Sequence, residues 1–240
     1  MIRVEGLSKN LGGENVLEDI TFDIAGGGEI AVIMGPSGVG KTILLKHLIG
    51  LMKPDHGRVL IDGVDISRLR EEELLDIRRS MGYLFQEGAL YDFMTVFENI
   101  AFPLREHTDW QADRIKERVR EVLSMVDLEG VEEKLPAELS GGMKKRVGLA
   151  RAIVLGAKIL LCDEPTSGLD PIRSRDISIL IRGIAQKIKA TTVITSHDIE
   201  NSFRIADKLI ILNERHIAAM GTKEQMRASP VPFVQEFLYA

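Results

Sequence analysis

The run Gly35-Pro36-Ser37-Gly38-Val39-Gly40-Lys41-Thr42 sets the narrowest limit on how this chain folds. Before it stands an unbroken apolar stretch, Ile30-Ala31-Val32-Ile33-Met34, with the composition of a buried strand. After it, Ile43-Leu44-Leu45-Lys46-His47-Leu48-Ile49 carries apolar residues at helical spacing. Strand, glycine turn and helix form the context in which G-x-x-x-x-G-K-[ST] is a phosphate-binding loop and not an ordinary turn. Glycines let several backbone N–H groups converge on one anion, and the helix that follows adds the positive end of its dipole. Lys41 is expected to reach the β- and γ-phosphates, and the Thr42 hydroxyl to ligate Mg²⁺.

Bulk properties narrow the class. The 240 residues, 45% hydrophobic and 28% charged, suit a globular protein with a substantial core, as one large domain or two small lobes. A net charge of −5 gives the chain as a whole no electrostatic reason to seek nucleic acid, although Lys144-Lys145-Arg146 is a local basic cluster. The single cysteine, Cys162, cannot form an internal disulfide, which fits a reducing compartment. No apolar segment approaches the ~18–20 residues that span a bilayer, and the N-terminus lacks a signal-peptide pattern. If the protein serves a membrane process, another chain is expected to cross the membrane.

Along the chain, Ile2–Leu7, Ile20–Ile24, Gly57–Ile61 and Met81–Phe85 read as strands bounded by turn residues. From Val96 to Leu155 the signals are mostly helical, with Ile115, Val119, Val122 and Val126 on one face. Two apolar strands follow, Lys158–Cys162 and Thr192–Thr195, separated by a helix through Ile177, Leu180, Ile181 and Ile184. The tail from Val231 reads as a short helix. Alternating strands and helices imply an α/β fold with a parallel sheet covered on both sides.

Ile159-Leu160-Leu161-Cys162-Asp163-Glu164 is an apolar strand ending in two acids. Asp163 is expected to hold Mg²⁺ through water, and Glu164, one residue further out, to polarise a water aligned with the γ-phosphate. Leu139-Ser140-Gly141-Gly142-Met143, taken alone, reads as the N-cap of a helix over Lys144–Val154. Together with the loop at 35–42, Gln86, Asp163-Glu164, Ser167-Gly168-Leu169-Asp170 and His197, it resembles the ATP-binding-cassette ATPases, in order and spacing, over essentially the whole chain.

That resemblance implies a P-loop ATPase fold: a RecA-like parallel-sheet core with an N-terminal antiparallel β part and an inserted α-helical subdomain. The chain is then a single domain, 1–240, with a core lobe of 1–86 and 156–240 and a helical subdomain of about 87–155. It also implies a head-to-tail homodimer with ATP sandwiched between copies. Leu139, Ser140, Gly141, Gly142, Met143 and Asp170 of one copy would act on the nucleotide held by Gly35–Thr42 of the other. Gln86 would touch Mg²⁺ and the attacking water, and His197 would contact the γ-phosphate and fix Glu164.

Three positions depart from the family pattern. Leu11 stands where an aromatic usually stacks on adenine, Ile43 where a second hydroxyl follows the Mg²⁺ ligand, and Met143 where glutamine is common. The Leu-Ser-Gly-Gly-Met form, with Leu84–Leu90 and Pro103–Thr108, resembles the ATPases of Mce-associated (Mla or toluene-tolerance) lipid transporters. The resemblance implies phospholipid transport that maintains outer-membrane asymmetry, a permease dimer, a Mce-domain substrate-binding protein, and a place on the cytoplasmic face of a bacterial inner membrane. Phe93, Met94, Phe97 and Phe102 read either as the helical lobe's core or as a groove for the permease's coupling helices. The competing readings are the ATPase of another importer or of lipoprotein release, and a regulatory ATP-binding module without turnover.

Overall fold

The computed structural model describes residues 1–239. The chain forms two compact units, Met1–Arg78 with the segment from Thr191 onward, and Arg79–Ala190. In chain order the first unit begins with β1 (Ile2–Leu11), β2 (Glu14–Ile24), β3 (Ile30–Met34), α1 (Lys41–Leu48), β4 (His56–Ile61), β5 (Val64–Asp65) and α2 (Glu71–Arg79). The second unit holds β6 (Met81–Leu84), α3 (Val96–His107), α4 (Ala112–Met125), α5 (Gly141–Ile153), β7 (Ile159–Asp163) and α6 (Pro171–Ile188). The rest of the first unit is β8 (Thr191–Ser196), α7 (Ile199–Ile205), β9 (Lys208–Asn213), β10 (His216–Gly221), α8 (Lys223–Arg227) and α9 (Pro232–Tyr239).

In the first unit β3 is the central strand. It pairs in parallel with β8 on one side and β9 on the other, with Met34 registered against Ser196 and Ile211. All five of its residues are buried, so an uninterrupted apolar run is what this position requires. β10 returns antiparallel to β9. A separate four-stranded sheet has the order β2-β1-β4-β5, all antiparallel. Along β1 the start alternates, Ile2 and Val4 buried and Arg3 exposed, as expected of a sheet with one wet face. The fold is therefore α/β, as the strand–helix pattern implies, with the antiparallel N-terminal part that the family resemblance implies.

In the second unit β6 and β7 run parallel, Leu84 opposite Cys162. Ile115, Val119, Val122 and Val126 are all buried, so the face read from the spacing is the face that α4 packs inward. A capping box at Thr95 and Glu98 starts α3, each side chain bonding the other's backbone N–H. Gly82 on β6 lies so close to α5 that a Cβ there would stand 2.3 Å from the Ala152 carbonyl oxygen. That contact requires glycine.

His47 lies buried on α1, at the heart of the first unit. Its Nδ1–H donates to the Ile43 carbonyl at 2.7 Å, and its Nε2 is buried without a hydrogen-bond partner. Burial pushes its pKa below the ordinary 6.5; Lys9 acts the same way, and the Ile43 and Lys53 carbonyls and Asp55 oppose it. The unfolded chain therefore takes up this proton at a higher pH than the folded one. Stability is full above about pH 6.5 and falls as the pH drops below that value, until the folded imidazole also titrates. Thermal melts between pH 7.5 and 5 should show a shallower acid-side loss in His47→Leu than in wild type. An identical slope would remove His47 from this account.

Candidate phosphate-binding site

The loop between β3 and α1 is built by its backbone. Gly35 (φ +151°) leaves β3 so close to β9 that a Cβ would meet the Leu212 carbonyl oxygen at 2.4 Å, and Gly40 (φ +104°) is the N-cap of α1. Both conformations exclude ordinary side chains. No side chain caps α1 and no acid stands in its first turn, so the dipole end faces the loop without a competing anion. The Lys41 amine turns back over the loop and donates to the carbonyls of Gly35 (2.9 Å) and Pro36 (3.1 Å). Lys41 is buried there, while Pro36, Ser37 and Gly38 are exposed along the rim. Thr42 and Ile43, in the first turn of α1, are half-buried.

The parallel register of β3 and β8 carries His197 to the same sheet edge. Met34 lies opposite Ser196, so Gly35 and His197 are the next residues out from neighbouring strands. Asp198, not His197, caps α7, accepting from the Asn201 N–H at 3.0 Å. Leu11 ends β1 partly exposed, in the hairpin opposite Glu14.

In the second unit the acids sit at the end of β7. Asp163 is buried and Glu164 follows with φ +44°, a left-handed conformation that costs a non-glycine residue strain. The Tyr83 hydroxyl on β6 donates to Asp163 Oδ2 at 3.3 Å, and burial together with that carboxylate raises the tyrosine's pKa. Sequence reading did not single out Tyr83. Two strands from well-separated parts of the chain bring it to Asp163. Lys145, on α5, is buried and faces the Glu87 and Glu164 carboxylates, which oppose the lowering of its pKa by burial. Gln86 donates to the Ser167 hydroxyl at 3.2 Å. Cys162 is fully buried, and burial pushes its thiol pKa up, so it behaves as a small apolar side chain.

Ser140 is the N-cap of α5, accepting from the Met143 N–H at 3.3 Å. The helix begins at Gly141, three residues before the expected Lys144. Ser140 and Gly141 are exposed, and no acid stands in the first turn. A Cβ at Gly142 would meet nothing within 4 Å. This chain's own packing therefore does not require glycine at 142. Asp170 caps α6, accepting from the Arg173 N–H at 3.1 Å.

The residues fit a magnesium nucleotide. The loop and helix start favour a polyphosphate, and the buried ammonium of Lys41 rests on carbonyl oxygens, the kind of acceptor a phosphate also offers. Among the described residues no cluster of three or more His, Cys, Asp or Glu side chains could cage a metal. Mg²⁺ does not need one, because it keeps waters and takes one or two protein oxygens beside those of the phosphates.

Comparison with known proteins agrees. Residues 17–167 match the ABC transporter family. The chain is 46% identical over 99% of its length to the probable ribonucleotide transport ATP-binding protein Mkl of Mycobacterium leprae, and spans 68% of that protein. It spans 66% of the Mkl protein of Mycobacterium tuberculosis. It is 40% identical, over 99% of this chain and 90% of the relative, to the intermembrane phospholipid transport system ATP-binding protein MlaF of Haemophilus influenzae. Among solved structures, a dimeric ATP-binding cassette in a post-hydrolysis state bound to ADP and Pi superposes with a TM-score of 0.84. That match has 31% identity and covers 92% of this chain and 98% of the other. The chain belongs to the ABC transporter family and is one of its ATP-hydrolysing, ATP-binding subunits.

Ile43 gives a direct test of the loop. Replacing it with threonine restores a hydroxyl beside Thr42, and a new bond to a charged phosphate should tighten ATP binding by ~1–3 kcal/mol. Equilibrium titration with nucleotide measures it, and an unchanged affinity would show that Ile43 costs nothing.

Proposed function

From its place among the ABC ATP-binding subunits, we propose that the chain powers phospholipid movement by a membrane complex, working as a homodimer. The observation that carries the lipid reading is the 40% identity to a phospholipid-transport ATP-binding protein, sustained over 99% of this chain and 90% of that one. The Met143 form of the Leu139–Met143 segment supports it.

In this reading the Gly35–Gly40 loop and Lys41 hold the β- and γ-phosphates. Thr42, Asp163 and Gln86 are the protein's oxygens toward Mg²⁺, which when bound neutralises charge on the phosphates. Glu164 takes a proton from the attacking water, and His197 holds the γ-phosphate and steadies that carboxylate. Leu139–Met143 and Asp170 of the other copy complete the site. The open space at Gly142 and the exposed, acid-free start of α5 support this, because a helix start with room above it accepts an anion from outside the chain. The γ-phosphate then favours the closed pair, since ADP lacks the group that both copies would bind.

Residues 85–108 support a membrane partner. Phe93 is 78% exposed, so it is not part of the core, and Tyr91 and Phe85 are also exposed. The Tyr91 ring meets Phe93 tilted and Phe102 edge-on, at ring-centroid distances of 5.9 and 5.4 Å. A cluster of exposed aromatics on a small lobe is a docking surface for another protein. Among the described residues no helix is long and apolar enough to cross a membrane. By likeness to the phospholipid-transport ATP-binding proteins, the chain would act on the cytoplasmic face of an inner membrane, attached through a permease dimer that also carries a Mce-domain protein.

Purification of the protein from native membranes in mild detergent, followed by identification of what accompanies it, tests this reading. A multi-spanning permease, a Mce-domain protein and bound phospholipid are the expected result. The 46% identity to the mycobacterial ribonucleotide-transport proteins favours a second cargo class, and recovery of a complex that binds ribonucleotide and no lipid would replace the first reading with that one.

A further inference from the structure

Between Gln86 and the exposed Phe93 the chain makes a short turn in which two successive residues, Gly88 (φ +77°) and Ala89 (φ +48°), are left-handed. Both of their carbonyls are taken by one side chain from α5. Arg151 donates from Nη2 to Gly88 O at 2.7 Å and from Nη1 to Ala89 O at 2.9 Å. The guanidinium also lies 5.9 Å from the Tyr91 ring. The helix and the turn are in close contact elsewhere too. A Cβ at Gly148 would stand 3.0 Å from Leu84 and 3.3 Å from Gly88 Cα, and one at Gly88 would stand 3.2 Å from the Lys144 carbonyl. Beyond the turn, the fully buried Asn99 of α3 fixes the rest of the segment. Its Oδ1 accepts from Tyr91 N at 2.8 Å, and its Nδ2 donates to the carbonyls of Tyr91, Met94 and Thr95 at 3.0–3.1 Å.

We propose that Arg151 is a positioning residue that makes the 86–93 segment and α5 move as one piece, so that displacement of the aromatic surface at Phe93 reaches Ser140 at the start of α5. The helix that carries the fork is the helix that begins at Ser140. A planar guanidinium holding two adjacent carbonyls transmits rotation as well as translation, which a single ammonium cannot do. The inference rests on the reading of the Phe93 surface as the contact with the membrane subunits, and deepens it.

The test uses Arg151→Lys, which keeps the charge and loses the fork, and Gly148→Ala, whose Cβ crowds Leu84 and Gly88 and strains the contact between the turn and α5 without touching Arg151. In the isolated full-length chain, amides 88–93 should exchange hydrogen faster in both variants, while ATP affinity stays within about two-fold of wild type because the 35–42 loop is untouched. In the complex purified from membranes, kcat for ATP should fall about ten-fold at unchanged KM. Faster exchange with full kcat in the complex would reduce Arg151 to a structural clamp and overturn the proposal. Unchanged exchange would show that no clamp exists. Phe93→Ala is the control for the underlying reading. Wild-type kcat in its complex would mean that the surface is not the contact, and would remove the transmission route with it, whereas the exchange data report on Arg151 alone.

Discussion

A polyphosphate has to be held where its charge meets backbone N–H groups and not mobile side chains, and the first unit is organised around that demand. The β3 strand is buried on both faces and fixed by parallel neighbours, so its last residue is a rigid point of departure. From it Gly35 and Gly40, in conformations closed to other residues, fold the loop onto the start of α1. Lys41 is buried with its amine on the loop's own carbonyls, which keeps a desolvated cation satisfied at the place where a phosphate would take over that role. The packing of β3, β8 and β9 around α1 serves to hold these few atoms still.

The second unit repeats the same device in an exposed setting. The start of α5, capped by Ser140 and free of acids, is a second anion-favouring helix end, open above Gly142. In the proposed homodimer, an exposed site of this kind serves the neighbouring copy. The left-handed Glu164, the buried Asp163 with Tyr83 on it, and the pinned turn at Gly88-Ala89 are all costly features. They lie in the same unit as that helix end, where the proposed chemistry and its mechanical output are sited.

Much of this was legible in sequence, for identifiable reasons. The strand–loop–helix at 30–49 declares itself because glycine spacing, lysine, threonine and both flanks each restrict the same geometry. The buried face of α4 follows from a clean helical period. By contrast the turn that joins β9 to β10 gives little signal. At Glu214-Arg215 it takes positive φ, +44° and +76°, without a glycine to announce it. α2 buries only Leu74, with Ile77 and Arg78 half-buried beside it, so its inward face spans little more than one turn. Phe93 carries the apolar signal of a core residue but is 78% exposed, since hydrophobicity alone does not separate a core from a docking surface. Tyr83 and Arg151 act across 80 and more than 60 residues of sequence. No local pattern encodes such contacts.

The central claim is that two copies close on ATP and that Glu164 then releases them by hydrolysis. Light scattering of purified Glu164→Gln in MgATP measures it most directly. The account predicts a stable species of twice the 26.7 kDa chain mass in ATP, a monomer in ADP, and no phosphate release. A monomer in saturating ATP, or phosphate release at the wild-type rate, would contradict it.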